Sequence, residues 1–349
     1  MNAFFLSLYG LVRKARIKKM MLCFWTVILC WATGIGEAVT REPARISVLI
    51  ATGMPGSTYY HVGLGLASFW TTKLRDAGIR VSAAASEGSG ENIEAIRIAD
   101  ADLILVEEFL CHMAFTGTAV YKNRALPELR TLSLLWPDTV HVLIRADKVK
   151  SGTLRDLVGI TVATGLPDSG NRYTTEMLLK SVDPTGKKIR LRYLSHAAAI
   201  HGLRSGTVQA LDISGGIPIP LLTSLLTEGK PRLEFLDIAD EQFHALKGEG
   251  WDHAVRDTIP TGTYPGQTRP VKSLTYPNVL AVSASLDPQV VYELTKSLYE
   301  NLEEIEKIHP VCRKLSLERA LEGMRVPLHR GAARYYTERQ LTIPDYLVE

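Results

Sequence analysis

The residues best suited to chemistry in this sequence form a turn of small residues at positions 53–58, with the letters GMPGST. The turn follows an apolar, β-branched run at residues 46–50, which predicts a buried strand, and it precedes apolar residues at helical spacing. Ser57 or Thr58 can cap this helix. Because small residues leave backbone N–H groups accessible at the positive end of a helix, the turn is predicted to bind an anionic group.

Three further turns of small or polar residues follow predicted strands, and they supply hydroxyl, amide or backbone N–H groups. The candidate binding residues in these turns are Asn92, Ser169, Gly170, Asn171, Gly215 and Gly216. For Asn92, a ligand contact and a helix cap are equally compatible with its position near a helix start.

Glu107 comes directly after a third apolar run, at residues 103–106. A carboxylate at that strand end would suit an ammonium or a protonated ligand group. A solvated acidic turn that also contains Glu108 is the alternative interpretation.

No pattern in the sequence predicts catalysis, a metal site or a cofactor. The turn at residues 53–58 lacks the lysine of a phosphate-binding loop and the spacing of a dinucleotide-binding motif. The serine turns do not form the motif of a nucleophilic serine after a strand. His196 and His201 are five residues apart, which is the wrong helical spacing for a shared metal ion.

The first 38 residues have the layout of an export signal. Five basic residues precede an apolar run at residues 20–36, and small residues at 36 and 38 fit a cleavage site. An uncleaved membrane anchor is the alternative. The chain has 40 basic and 37 acidic residues, of which this leader holds five and one, so the remaining 35 and 36 nearly cancel. No basic patch indicates nucleic acid.

Only Cys111 and Cys312 lie beyond the leader, which is neither a disulfide framework nor a metal cluster. The sequence does not determine whether these two cysteines pair.

Alternating strands and helices predict an α/β fold with parallel strands in two units. Residues 132–135 and 140–144 are predicted as separate strands interrupted at 136–138. Residues 259–273, rich in Pro, Gly and Thr, are predicted to connect two domains, and residues 315–321 are predicted to be helical. Ligands in open α/β sheets bind beyond the carboxyl ends of the strands. Two such crevices facing each other would form a cleft that closes by hinge motion.

Six motifs, taken in order, resemble the TAXI group of TRAP-transporter solute receptors. They are Gly53-x-x-Gly-Ser-Thr-Tyr-Tyr60, Ser89-Gly-Glu-Asn-Ile93 with Ala101-Asp-Leu103, Leu166-Pro-Asp-Ser-Gly170, Gly216-Ile-Pro218, Gly262-Thr-Tyr-Pro-Gly266 and Pro327-Leu-His-x-Gly-Ala332. The resemblance covers nearly all of the chain after the leader.

This resemblance implies a type II periplasmic-binding-protein-like fold in which two α/β lobes enclose a ligand cleft. After the leader, residues 1–38, which is a signal peptide or an uncleaved anchor, the chain is expected to divide into lobe 1, residues 45–143 with 271–349, and lobe 2, residues 144–270. The resemblance further implies ligand contacts by Ser57, Thr58, Tyr59 and Asn92 from one lobe, and by Ser169, Gly170, Asn171, Gly215 and Gly216 from the other.

The implied function is extracytoplasmic capture of a small carboxylate ligand and its delivery to TRAP permease subunits by a periplasmic, monomeric receptor. Glu107 stands where relatives commonly carry glutamine, and Asn171 stands where threonine is common. Since an acidic residue would repel a plain dicarboxylate or keto acid, an amino acid such as glutamate or glutamine is favoured. The alternatives are an enzyme on the same scaffold and a membrane-anchored ligand sensor.

Overall fold

Strands and helices alternate along the chain in a computed structural model that describes residues 46–248, 251 and 253–348. The predicted leader lies outside the described residues. The strands are β1 (Ile46–Ala51), β2 (Ile79–Ala84), β3 (Leu103–Glu107), β4 (Leu129–Arg145), β5 (Thr161–Thr164), β6 (Arg190–Tyr193), β7 (Ala210–Gly215), β8 (Leu233–Phe235), β9 (Val255–Ile259) and β10 (Val271–Ser283). The helices are α1 (Thr58–Lys73), α2 (Ser89–Arg97), α3 (Glu108–Thr116), α4 (Gly170–Lys180), α5 (His196–Ser205), α6 (Pro220–Glu228), α7 (Asp240–Gly248), α8 (Pro288–Glu300), α9 (Leu302–Ile305) and α10 (Arg330–Glu338).

The strands form one sheet in the order β2-β1-β3-β10-β4-β7-β5-β6, with β8 beside β4 and β9 beside β10. Strands β2, β1 and β3 are parallel and form the first strand group, while β7, β5 and β6 are parallel and form the second. In each group the strand that comes first in the sequence lies between the other two. The strand that comes third in the sequence pairs with a long antiparallel strand: β3 pairs with β10, and β7 pairs with β4. This confirms the predicted α/β class, of the type II periplasmic-binding-protein-like kind.

The two long strands, β4 and β10, join the strand groups. Strand β10 pairs with β3 of the first group through its second half, and β4 pairs with β7 of the second group through its own second half. The predicted lobe boundary at 143/144 falls within β4, and the boundary at 270/271 falls at the start of β10. The carboxyl ends of the two parallel groups are therefore positioned by a shared antiparallel pair.

The sequence predicted two short strands where the structure has the single 17-residue strand β4. The predicted interruption contains Pro137, which lies directly opposite Pro277 of β10. Neither proline has an N–H group, so this facing pair supplies no donor to the ladder, and the two positions without a donor lie opposite each other. A register shift in β10 follows, between Pro277 and Val279.

Two other sequence predictions are wrong. Residues 271–273 do not belong to an inter-domain connection, because they begin β10 and pair with β9. Residues 315–321 do not form a regular helix: a 3-10 helix, Pro310–Lys314, precedes them and turns follow.

Helix α1 lies very close to the end of β1, and this contact fixes the start of the helix. A Cβ atom added at Gly63 would lie 2.1 Å from the Thr52 methyl carbon, so only glycine permits the approach. The other end of α1 is held by Trp70, which is fully buried and whose indole N–H donates to the Leu294 carbonyl at 3.2 Å.

A partly buried ion pair ties α3 to the C-terminal region. The carboxylate of Glu108, 1% exposed, accepts hydrogen bonds from the Arg325 guanidinium, the shortest at 2.6 Å. Burial raises the pKa of Glu108, while the hydrogen bonds and charge of Arg325 lower it. Loss of the arginine would leave a carboxylate buried without its partner.

We expect Arg325→Met to lower the free energy of unfolding by about 2–3 kcal/mol, less than for a fully buried pair because the arginine side chain is 41% exposed. Urea unfolding measures the change. The matched control is Arg319→Met, which removes an exposed pair with Glu322 and should cost less than about 1 kcal/mol. Equal costs for the two variants would show that the Glu108 pair does not contribute as described.

Candidate functional site

The carboxyl ends of the two strand groups meet at one narrow cleft. Its lining includes Ser57, Thr58 and Tyr59 at the start of α1, and Ser169, Gly170 and Asn171 at the start of α4. Glu107 and Gly215, at the ends of β3 and β7, also line it. The structure therefore brings together eight of the ten binding residues that the sequence predicts.

The two helix starts are capped in the same way. The Ser57 hydroxyl accepts a hydrogen bond from the Tyr60 N–H at 3.2 Å, and the Ser169 hydroxyl accepts one from the Arg172 N–H at 3.3 Å. Each cap satisfies one backbone N–H, while the others of the first turn have no partner within the helix. Both positive helix ends thus border the cleft.

Thr58 and Asn171 are used mainly to hold the cleft together. The Thr58 hydroxyl donates to the Gly216 carbonyl at 3.0 Å, which links α1 to the turn after β7. The Asn171 amide donates to the Asp212 carbonyl at 2.8 Å, and its oxygen accepts from the Ser214 N–H at 2.7 Å. These contacts set the positions of the backbone groups around the cleft.

Asn92 and Gly216, the other two predicted residues, do not line the cleft. The buried Asn92 amide donates to the carbonyls of Thr52 and Leu105, at 2.7 and 2.8 Å, and so joins the ends of β1 and β3. It does not cap α2, whose cap residue is Gly88. Gly216 takes part through its carbonyl, as the acceptor for Thr58.

The floor of the cleft is polar and is built on three adjacent strands. Glu107 of β3 faces Asn278 of β10, and Tyr276 of β10 faces Asp138 of β4. Because facing residues share a sheet face and residues two apart on a strand do so as well, all four side chains point to one side. The Tyr276 hydroxyl donates to Glu107 Oε1 at 3.2 Å.

The remaining contacts of the floor involve Tyr59 and Trp136. The Tyr59 hydroxyl donates to the Asn278 amide oxygen, and the Asn278 amide donates to the Trp136 carbonyl at 3.0 Å. The Trp136 indole N–H donates to Asp138 Oδ1 at 3.1 Å. The rings of Tyr59 and Trp136 meet edge to face at 6.1 Å, which adds packing to the network.

The two carboxyl groups of the floor are strongly perturbed. Burial, followed by the charge of the neighbouring Asp138, raises the pKa of Glu107 to about 8, although hydrogen bonds from Tyr276 and Ser89 oppose the rise. Burial likewise raises the pKa of Asp138 to about 7. The main cause for both groups is the cost of holding charge away from water, to which the like charge of Asp138 adds in the case of Glu107.

Glu107 reaches across the cleft to the opposite helix. A Cβ atom added at Gly170 would lie 2.1 Å from Glu107 Oε2, so the carboxyl group lies directly against the first residue of α4. An acidic group is favourable at a helix N-terminus. Glu107, at the end of β3, is thus in close contact with Gly170 of α4, which belongs to the other half of the cleft.

The mouth of the cleft is closed by contacts that the first residues of α2 and the turn before it make with the turn before α4. The Glu91 N–H donates to the Asp168 carbonyl at 3.0 Å, and the Asp168 N–H donates to Glu87 Oε2 at 3.3 Å. A Cβ atom at Gly90 would lie 2.4 Å from that Asp168 carbonyl oxygen. The space open to the centre of a water-sized sphere is about 50 Å³, and one water needs about 10–15 Å³ on this scale.

Sequence reasoning missed Asp138, Tyr276 and Asn278 as site residues. They come from the middle of β4 and β10, far along the chain from Glu107, so only the strand pairing brings them together. One signal was present: Asp138 is the only acidic residue of the sequence from 129 to 145, which is the span that forms β4. It was interpreted as part of an interruption between strands.

Other features of the described residues can be stated briefly. Cys111 and Cys312 are both buried and free. Among the described residues, no group of three or more His, Cys, Asp or Glu side chains could hold a metal ion. Over the same residues, no helix has the length and apolar character needed to cross a membrane.

The raised pKa of Glu107 predicts a pH dependence of stability. Between its ordinary pKa of 4.5 and about 8, the folded chain keeps a proton that the unfolded chain has lost. This stabilisation is complete below pH 4.5 and is lost as the pH rises to about 8, by up to about 1.4 kcal/mol per pH unit. Glu107→Gln removes the titration, so we expect this variant to gain stability relative to the wild type from pH 6 to pH 8.

Urea unfolding at pH 6, 7 and 8 measures this difference. Glu303→Gln, the same change at an exposed position, is the control and should show a constant difference. A difference for Glu107→Gln that does not change with pH would contradict the buried, protonated carboxyl group.

Several solved structures are similar to this chain at low sequence identity. A structure from Bordetella bronchiseptica RB50 is 17% identical, with a TM-score of 0.49, and the match covers 86% of each chain. An ancestral arginine-binding protein bound to arginine is 12% identical, with a TM-score of 0.48, over 77% of this chain and 98% of that one. The alkanesulfonate-binding protein from Xanthomonas axonopodis pv. citri, bound to MOPS, is 16% identical, with a TM-score of 0.44, over 86% and 96%.

A family model gives the stronger result, because its match extends over most of the chain. It is described as the NMT1-like family and matches residues 50–339, which include every residue that lines the cleft and all strands except the first four residues of β1. The chain belongs to the NMT1-like family.

Proposed function

We propose that this protein is an extracytoplasmic solute-binding protein that captures a small carboxylate-containing ligand in the cleft, with an amino acid favoured over a dicarboxylate or keto acid. The observation that carries the proposal is the meeting of two capped helix starts, at Ser57 and Ser169, across one narrow space. Backbone N–H groups at helix starts bind carboxylates well. The ligand would be held there by residues that come from both strand groups.

The size and the charge of the cleft support a small ligand that also carries an amine. The closed cleft is small, since its space of about 50 Å³ corresponds to roughly three to five water molecules at about 10–15 Å³ each. Glu107 and Asp138 line the same space as the helix starts. A ligand with both an acidic and a basic group would satisfy both kinds of site, whereas a dicarboxylate would place like charges together.

Binding would close the two lobes around the ligand. The contacts of Glu91, Asp168 and Glu87 lie at the mouth and link the first residues of α2 and the turn before it to the turn before α4. Such contacts form only when the lobes are together, so a ligand that bridges the lobes would favour the closed form. A membrane permease would then distinguish the loaded receptor from the empty one.

The transporter type and the location of the protein belong to the same proposal. Delivery to an ion-gradient-driven TRAP permease, as a TAXI-type receptor in the periplasm, is supported by the six motifs of the sequence. Export would use the leader at residues 1–38, and retention of the leader would anchor the protein to the membrane.

One observation favours a second candidate function, an enzyme on the same scaffold. Two buried carboxyl groups with raised pKa values in a cleft, Glu107 and Asp138, are also typical of acid–base catalysis. Incubation of candidate ligands with the protein, followed by product analysis, decides between the two. Recovery of unchanged ligand supports the receptor, and turnover that is lost in Glu107→Gln supports the enzyme.

The proposed function predicts micromolar or tighter binding of a small acid. Thermal-shift screening of purified protein against amino acids, dicarboxylates and keto acids, followed by calorimetry, tests it. We expect amino acids to raise the melting temperature most. Stabilisation by dicarboxylates and not by amino acids would oppose the ligand preference, and stabilisation by none of the three classes would oppose the proposed function.

Closure of the cleft around the ligand predicts that Gly90→Ala weakens ligand binding. The added methyl group collides with the Asp168 carbonyl in the closed form only, and alanine is otherwise favourable in a helix. We therefore expect unchanged or slightly higher stability but at least tenfold weaker binding of the best ligand from the screen, measured by calorimetry. Glu94→Ala, on the same helix, is the control and should bind normally; equal affinity in both variants would show that closure at this point is not needed.

A further inference from the structure

We propose that Glu107 and Asp138 form a subsite for a protonated amine, and that binding of this cation releases a proton from the pair. The inference rests on the proposed function, because it assigns a role to one part of the same cleft. It adds the atom of Glu107 that would accept from the amine and the coupling of binding to protonation.

The first argument is an unused acceptor. Glu107 is 4% exposed and lines the cleft, and its Oε1 accepts from Tyr276, but its Oε2 has no hydrogen-bond partner among the described residues. A buried carboxyl oxygen without a hydrogen-bond partner is costly in either protonation state, and most costly when the group is ionised. An ammonium group provides three donors, so it could satisfy this oxygen.

The second argument is the absence of a competing cation. Among the described residues that line the cleft there is no lysine or arginine, whereas Glu87, Glu107 and Asp138 all line it. His196 also lines the cleft, and burial lowers its pKa, so the ring is neutral near pH 7. A positive charge near Glu107 would therefore come from the ligand.

The side chains around Glu107 carry no positive charge, although hydrogen bonds from Tyr276 and Ser89 and the start of α4 favour its anion. Asp138 of β4 adds a like charge, and Tyr276 of β10 and Tyr59 of α1 have pKa values raised well above 10, so both stay neutral. Ser89 of α2 is uncharged, and the start of α4 at Gly170 favours an anion. Glu108, the next residue, is paired with Arg325 instead.

Protonation follows from these surroundings. At pH 7 the raised pKa of Glu107, about 8, leaves its carboxyl group largely protonated, while Asp138, near 7, is about half ionised. An ammonium beside the pair favours the charged form of both and lowers both pKa values. The proton leaves Glu107 or Asp138 for the buffer, and the amine keeps its own proton.

Calorimetry with matched pairs of probes tests this subsite. The pairs are L-glutamate with glutarate and L-alanine with propionate, in which the second member lacks only the amine; butylamine is added as an amine without a carboxylate. Each is titrated into the full chain at pH 6, 7 and 8, in phosphate and in Tris, because the difference in heat between the buffers counts the protons released.

We expect an amino acid to bind at least tenfold more tightly than its deaminated partner. Its affinity should rise by up to about tenfold per pH unit between pH 6 and 8, with close to one proton released. The Glu107→Gln variant should bind the amino acid at least tenfold more weakly than the wild type. The affinity of this variant should depend less on pH, and residue 107 should release no proton on binding. Asp138→Asn is a second variant for the same pair, and Glu303→Gln should behave as the wild type.

The outcomes separate the inference from the proposed function. If the deaminated acids bind as well as the amino acids, or if affinity falls with rising pH, the amine subsite is wrong and the receptor function stands. If butylamine binds and no acid does, the subsite is supported and the carboxylate ligand is wrong. If no probe binds the wild type, both are overturned.

Discussion

A carboxyl group of one strand group is buried against the helix start of the other, and the account of the cleft depends on this contact. Glu107 at the end of β3 lies against Gly170, the first residue of α4, with no room for a side chain there. The contact places an ionisable group at the meeting point of the two halves. Its charge state is therefore linked to what enters the cleft and to whether the halves stay together.

The sheet makes this contact possible. Strands β4 and β10 each extend beyond a single strand group, and their antiparallel pairing, with Pro137 opposite Pro277, holds Glu107, Tyr276 and Asp138 on one face. The parallel strands on either side direct the two capped helix starts to the same space. A few side chains from distant parts of the sequence thus form one polar floor under two positive helix ends.

Much of this arrangement was predictable from local patterns. Alternating apolar runs and polar turns predicted the α/β class and the two helix starts, because caps and small residues act within a few positions. The floor was not predictable, since Asp138 and Asn278 reach Glu107 only through long-range strand pairing. The resemblance assigns Asn92 to the ligand, with a helix cap as the alternative, and only the fold shows that its amide joins β1 to β3.

The central claim is that the cleft between Ser57 and Ser169 holds a small solute that bears both a carboxylate and an amine. Mass spectrometry of the solute released by unfolding gently purified protein tests it most directly. The account predicts an amino acid in near-stoichiometric amount, absent from Gly90→Ala purified in the same way. A stoichiometric solute without an amine, or one retained equally by Gly90→Ala, would contradict it.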